Sequence, residues 1–194
     1  MGFSLLLGAI SFPMGYTGVE SNDKQDNVTP SAQADEPPST SHVVTLTAYN
    51  AVPGQTDGDP LVTASGAFSN PEVMAARSRD LAGEMPFGTI IELDGSTVSR
   101  DNTCGYSVVA PKIGYRIIGD TMNARYTDRI DVLFDTDTDY VKPNGTKMNA
   151  ARVLGICNGI TVRVVGYVDI NHMPQTQAAL AALVRQGGVL ALNK

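Results

Sequence analysis

The chain is short of basic residues, of histidine and of cysteine, and each shortage weighs against a class of function. Fourteen Lys and Arg stand against twenty Asp and Glu, a formal charge of −6. That balance argues against nucleic-acid binding, which needs a basic face to displace counterions. Two histidines, His42 and His172, do not assemble a Ser-His-Asp set, and His172, just ahead of a helical segment, reads as a structural or capping residue. The two cysteines, Cys104 and Cys157, form no Cys-x-x-Cys, so zinc and dithiol chemistry lack a sequence basis. The acidic run 135–139 has Tyr140 where a calcium loop needs glycine and Thr146 where it needs a bidentate glutamate. No metal and no cofactor is expected. Long apolar runs are missing too: residues 2–14 are apolar and uncharged but too short for a secure membrane span.

What the chain does have is enough length for one domain and a tail. Its 194 residues are 42% hydrophobic, with 19 Gly and 11 Pro, a composition that favours a turn-rich β protein. Residues 1–18 fit an export signal or N-terminal anchor, without a preceding Lys or Arg. Residues 19–41, rich in Asn, Asp, Gln, Ser and Pro, read as a disordered linker. The folded domain is expected over 42–170 and a helix over 171–194. Strands are expected at Val43–Asn50, Ile90–Asp94, Tyr115–Gly119, Ile130–Phe134 and Gly159–Val168. Residues 95–112 read as a hairpin insert, Asn144-Gly145 as a turn, and Met148–Leu154 as a short helix closed by Gly155. Pro174 and Gly187-Gly188 punctuate the last helix, whose apolar face is Leu180, Leu183 and Val184.

Asp131 is the odd residue. It lies between Ile130 and Val132 in a run that otherwise reads as buried strand, where an unpartnered carboxylate is costly. Asp120 lies eleven positions upstream, so an intervening loop can fold back and bring the two acids together at one strand end. Two carboxyls sharing a dry site raise one pKa and give a protonated acid near neutral pH. A plainer reading makes Asp120 a turn residue and Asp131 a solvent-facing residue of an edge strand.

Asp120-Thr121 and Arg129-Ile130-Asp131-Val132, at their spacing, resemble the second and third acids of the three-aspartate (3D) domain. That domain occurs in membrane-bound lytic murein transglycosylase A and in stationary-phase-survival-type secreted proteins. Thr47-Ala48-Tyr49, Thr63-Ala64-Ser65-Gly66 and Pro86-Phe87-Gly88-Thr89 resemble further stretches of that family, and the likeness covers about residues 43–168. The resemblance implies an all-β fold, a double-psi β-barrel of about six strands with a short helix and an appended C-terminal helix. It implies a lytic transglycosylase cleaving the MurNAc-β-1,4-GlcNAc bond of peptidoglycan. Asp131 matches the acid/base, Asp120 would raise its pKa and orient it, and Asp80 is the match for the third acid, one residue further from Pro86 than the family pattern. Tyr49, Thr63, Ser65 and Gly66 would border the glycan groove. Tyr49 offers a ring for a sugar face, and Gly66 allows close approach of backbone. Where the family loop is glycine-rich, this chain has Met122-Asn-Ala-Arg-Tyr-Thr127. Arg125 and Tyr126 there are candidates to contact lactyl or peptide carboxylates.

The expected partner is a peptidoglycan strand, the expected location the cell envelope, and the expected state a monomer that meets membrane only through the N-terminal anchor. Export would permit a Cys104–Cys157 disulfide; without export, two buried thiols are expected. The rival function is a non-catalytic glycan-binding module of expansin-like type.

Overall fold

The computed structural model describes residues 41–56, 58–96 and 104–187. The export-signal and linker readings of 1–40 lie outside these residues, as do 97–103 of the insert and 188–194 of the tail. Among the described residues there are eight strands: β1 Ser41–Asn50, β2 Met74–Arg77, β3 Thr89–Asp94, β4 Arg116–Thr121, β5 Arg129–Phe134, β6 Asp139–Val141, β7 Lys147–Asn149 and β8 Cys157–Tyr167. Three α-helices join them: α1 Tyr106–Ile113, α2 Ala150–Leu154 and α3 Gln177–Arg185.

Six strands close a barrel in the order β1-β5-β2-β4-β3-β8, and β6 and β7 pair separately as a hairpin. Two of the barrel pairings, β1 with β5 and β2 with β4, are parallel, and the rest are antiparallel. The fold is therefore the all-β closed barrel expected from the sequence, and its mixed strand order is compatible with a double-psi path. Alternation along the strands divides the core in two. Ile130, Val132 and Phe134 of β5 join one cluster with Leu46, Ile118 and Val162. Leu133 joins the other, with Tyr49, Met74, Ile117 and Leu180.

The differences from expectation are β2, the β6–β7 hairpin, whose second strand takes the first two residues of the helix expected over 148–154, and the segment 95–112. β2 was not anticipated: its Met-Ala-Ala-Arg sequence has weak strand propensity. It is strand because β5 and β4 hydrogen-bond to its two edges, and all four of its residues are buried. The hairpin expected within 95–112 is replaced, in its second half, by α1. Val109 and Ile113, four apart, are the two buried residues of that helix, while Ser107 and Val108 face water. Pro111 is tolerated because it is exposed, as is Ser107, whose carbonyl it leaves unpaired, so water can serve that group. Cys104, just before α1, forms a disulfide with Cys157 at the start of β8, their Cα atoms 5.2 Å apart. It ties the helix to the barrel.

The C-terminal helix is present and docked. Thr176 caps it by accepting the Ala179 N–H, and Leu180 is fully buried in the second cluster. The Gln177 side-chain amide donates to the carbonyls of Ile113 and Tyr115, at 3.2 and 2.7 Å. The β4 end of this layer is fixed by Arg116, whose buried guanidinium donates to the carbonyls of Pro71, Lys112, Ile113 and Leu133. Burial pulls its pKa down to about 10, so it is still charged at neutral pH. Among the described residues no helix is long and apolar enough to cross a membrane.

Candidate active site

The strand register lays out the site. Thr47 on β1 is opposite Asp131 on β5, Asp131 is opposite Ala76 on β2, and Ala76 is opposite Asp120 on β4. Paired residues share a sheet face, so Thr47, Asp131, Ala76 and Asp120 form one row across four strands. Asp120 reaches this face because the β2/β4 register shifts past Gly119, a bulge that re-aims the residue after it. A Cβ on Gly119 would meet the end of the Met74 side chain, which would have to shift.

The two acids do not meet at one strand end, as the loop between them led us to expect. Strand β2 intervenes, which puts their Cα atoms two strand spacings apart, about 10 Å. The small side chain of Ala76 leaves a trough between them.

Asp131 is half-buried as a residue and opens onto a cleft of about 1000 Å³. Its Oδ1 is buried and has no hydrogen-bond partner. Its pKa is pushed up to about 6, chiefly by desolvation; the Thr47 hydroxyl and the Arg129 charge pull it down, and the Asp120 charge adds a smaller upward push. Burial, more than the second acid, is thus what raises the Asp131 pKa. The plainer reading of Asp131 on an edge strand does not hold, because β5 lies between β1 and β2.

Asp120 is held differently. Its Oδ2 accepts from the Tyr49 hydroxyl at 2.9 Å, and its Oδ1 accepts from the backbone N–H groups of Ala64 at 2.9 Å and Thr121 at 2.8 Å. Both oxygens are engaged. Tyr49 lines the cleft but is only 7% exposed and packed in the second core cluster, so little of its ring is open to a sugar. Burial, then the Asp120 charge and hydrogen bond, raise its pKa far above the ordinary tyrosine value, keeping the hydroxyl a donor. Tyr49 positions Asp120. Tyr49→Phe keeps the ring and removes the bond, and a hydrogen bond to a charged group is worth about 1.5–3 kcal/mol. Urea denaturation should show a loss of that size, and unchanged stability would mean that the bond holds nothing.

The 63–66 loop serves the same acid. Ala64 supplies one donor, the Ser65 N–H donates to the Gly119 carbonyl at 3.2 Å, and the Gly66 N–H closes the turn onto Thr63 at 2.9 Å. The Thr63 and Ser65 hydroxyls bond each other at 2.9 Å. Gly66 is needed for its φ of 82°; no close neighbour confines it. Thr63 and Ala64 line the cleft, and Ser65 and Gly66 do not.

Asp80 does not line the cleft either. It is exposed, and its Oδ2 accepts the N–H of Asp128 at 2.8 Å. Asp128 has a φ of 47°, unusual for a residue with a side chain. The Asp80 carboxyl is held below its usual pKa: desolvation, the largest single influence, pushes it up, but hydrogen bonds from Asp128, Ser78 and its own backbone, with Arg77, together outweigh that. It braces the turn that delivers β5, three residues before Asp131.

Arg125, Tyr126, Arg129 and Arg79 also line the cleft, and so does Phe87, 38% exposed. Phe87 belongs to the family-like stretch Pro86-Phe87-Gly88-Thr89, which forms a turn before β3. That turn is clamped by the Gly88 N–H on the Ile118 carbonyl at 2.8 Å, and the Arg77 guanidinium lies 5.2 Å from the ring centroid. An aromatic residue inside a Pro-x-Gly turn was the signal available for it. Thr47 and Arg129 lie in the stretches that resemble the three-aspartate domain without having been singled out, and Ala76 carried no mark; strand register places Thr47 and Ala76 beside the acids.

The site thus belongs to a six-stranded mixed barrel bearing one buried, protonatable acid and one fully bonded acid across a cleft. No protein-family model and no curated protein sequence matches the chain.

Proposed function

We propose that the protein is a peptidoglycan lytic transglycosylase, with Asp131 as its general acid and base. The observation that carries this reading is a buried carboxyl with an unpartnered oxygen and a pKa near 6 on the floor of an open cleft. The resemblance of the Asp120 and Asp131 stretches to the three-aspartate domain supports the substrate. The Cys104–Cys157 disulfide supports an exported, envelope-facing protein, because such bonds persist in oxidising compartments.

The choice of transglycosylase over hydrolase rests on Asp120. A glycoside hydrolase uses two carboxylates, one free to activate water or to attack the sugar. Both oxygens of Asp120 already accept hydrogen bonds, three in all, which leaves Asp131 to work alone. Protonated Asp131 gives its proton to the glycosidic oxygen as the bond from muramic C1 breaks. The resulting carboxylate takes the proton of the muramic C6 hydroxyl as O6 bonds to C1, closing the 1,6-anhydro ring. The acid is restored and no water is consumed. Because the first step needs the protonated form, the rate should fall as pH rises through about 6.

The exposed Phe87 ring in the cleft lining suits a non-catalytic glycan-binding module equally well. Incubation with purified sacculi separates the two. We expect soluble anhydromuropeptides by mass spectrometry; sacculi that bind the protein but yield none would favour the binding module.

A further inference from the structure

The acids and their supports leave the basic residues of the cleft lining unexplained. Arg79, Arg125 and Arg129 line the cleft in a chain of net charge −6. Among the described residues none of the three is ion-paired, whereas Arg163 pairs with Glu92 at 3.0 Å and Asp94 at 3.6 Å. The guanidinium carbons of Arg125 and Arg129 lie 4.8 and 4.6 Å from the Tyr126 ring centroid, and Arg125 donates to the Tyr126 hydroxyl at 2.8 Å. One ring therefore holds two like charges close together through cation–π contact. The Arg129 Nε–H is buried and has no acceptor. A buried donor left unpaired is costly unless a bound group completes it.

We propose that the Arg125–Tyr126–Arg129 stack is a carboxylate subsite, so that the muramic residue at the scissile bond is recognised by a free acid group. This rests on the glycan reading above. Arg129 and Asp131 are two residues apart on β5 and both line the cleft, a spacing of about 7 Å along a strand. A guanidinium that close to the acid/base suits a substituent of the very sugar whose bond is cleaved. Two sources carry that chemistry: the lactyl carboxylate of muramic acid stripped of its peptide, and the carboxylates of the stem peptide. A planar guanidinium pairs with a carboxylate through two parallel hydrogen bonds, which an amide cannot match.

The test uses the full-length Asp131→Asn protein, so that strands are bound without being cut. Fluorescently labelled strands are titrated in three forms: peptide-free with free lactyl carboxylates, peptide-free with those groups amidated, and peptide-bearing. We expect the free-acid strands to bind at least about tenfold tighter than the amidated ones, a modest value for a charge-assisted pair. Arg129→Gln, and separately the exposed-loop variant Arg125→Gln, should reduce free-acid binding towards the amidated level. Peptide-bearing strands binding as tightly as the free-acid strands would support the subsite with the stem as its source. Equal affinity for free and amidated strands, with peptide-bearing strands no tighter, overturns the subsite while leaving the glycan reading intact. No binding of any strand overturns the glycan reading and the subsite with it.

Discussion

Replacing Asp131 by Asn should cut turnover of sacculi by about 10²–10⁴-fold, the usual worth of a positioned acid–base group, and should make the protein more stable at pH 8. The second effect follows from the same burial as the first. In the unfolded chain this carboxyl has an ordinary pKa of 3.8; in the fold it is about 6. The native state thus holds the proton more tightly. Its contribution to stability is fully present below about pH 4 and is lost as pH rises through 6. Above that the ionised carboxylate costs roughly 3 kcal/mol, from about two pKa units at 1.36 kcal/mol each. Asparagine cannot ionise and escapes that cost. Urea titrations of both proteins across pH should show the variant ahead at pH 8 and the gap closing towards pH 4. Parallel stability curves would mean that Asp131 is solvated, and undiminished turnover would remove it as the acid.

How much of this was open to sequence reasoning depended on whether the signal was local. Alternating apolar residues marked β1, β3, β5 and β8, and Pro174 with the glycines at 187 and 188 marked α3. Asp131 betrayed itself by standing between Ile130 and Val132. What lay beyond reach was strand order. Nothing in Met74-Ala-Ala-Arg77 announces a strand, yet β2 separates the two acids, so their direct pairing was the wrong inference from a correct observation. The burial of Tyr49 was hidden for a related reason: Thr47 and Tyr49 share a face, but how far it is covered depends on Leu133, Met74 and α3, all distant in sequence. The loop 63–66 was placed at the groove, and Thr63 and Ala64 do line the cleft, but its hold on Asp120 through the Ala64 backbone N–H is one that no sequence pattern displays. Asp80 likewise proved to be a brace on Asp128.

Reducing the Cys104–Cys157 bond should lower stability by about 4 kcal/mol, the chain-entropy value for a cross-link spanning the observed separation of 53 residues. Against a typical total of about 5–15 kcal/mol for a domain, that is a large share. The location favours a full effect. Cys157 is completely buried at the start of β8, and Cys104 leads into α1, whose Val109 and Ile113 pack into the first core cluster together with Leu154 of α2. Releasing the bond frees the segment before α1 to leave the barrel, exposing that cluster. Comparing oxidised and reduced wild-type protein keeps every atom except the bond, so no cavity or buried hydroxyl confuses the result. The midpoint of thermal unfolding should fall by roughly 10–15 °C, at about 2–4 °C per kcal/mol for a chain of this size. Neither cysteine lines the cleft, so the reduced protein, assayed well below its new midpoint, should keep the pH dependence set by Asp131. A loss below about 1 kcal/mol would show that α1 is held by its packing alone. A shifted pH profile in the still-folded reduced protein would show instead that the bond reaches the acid through β1, where Leu46 is opposite Cys157 and Thr47 is opposite Asp131.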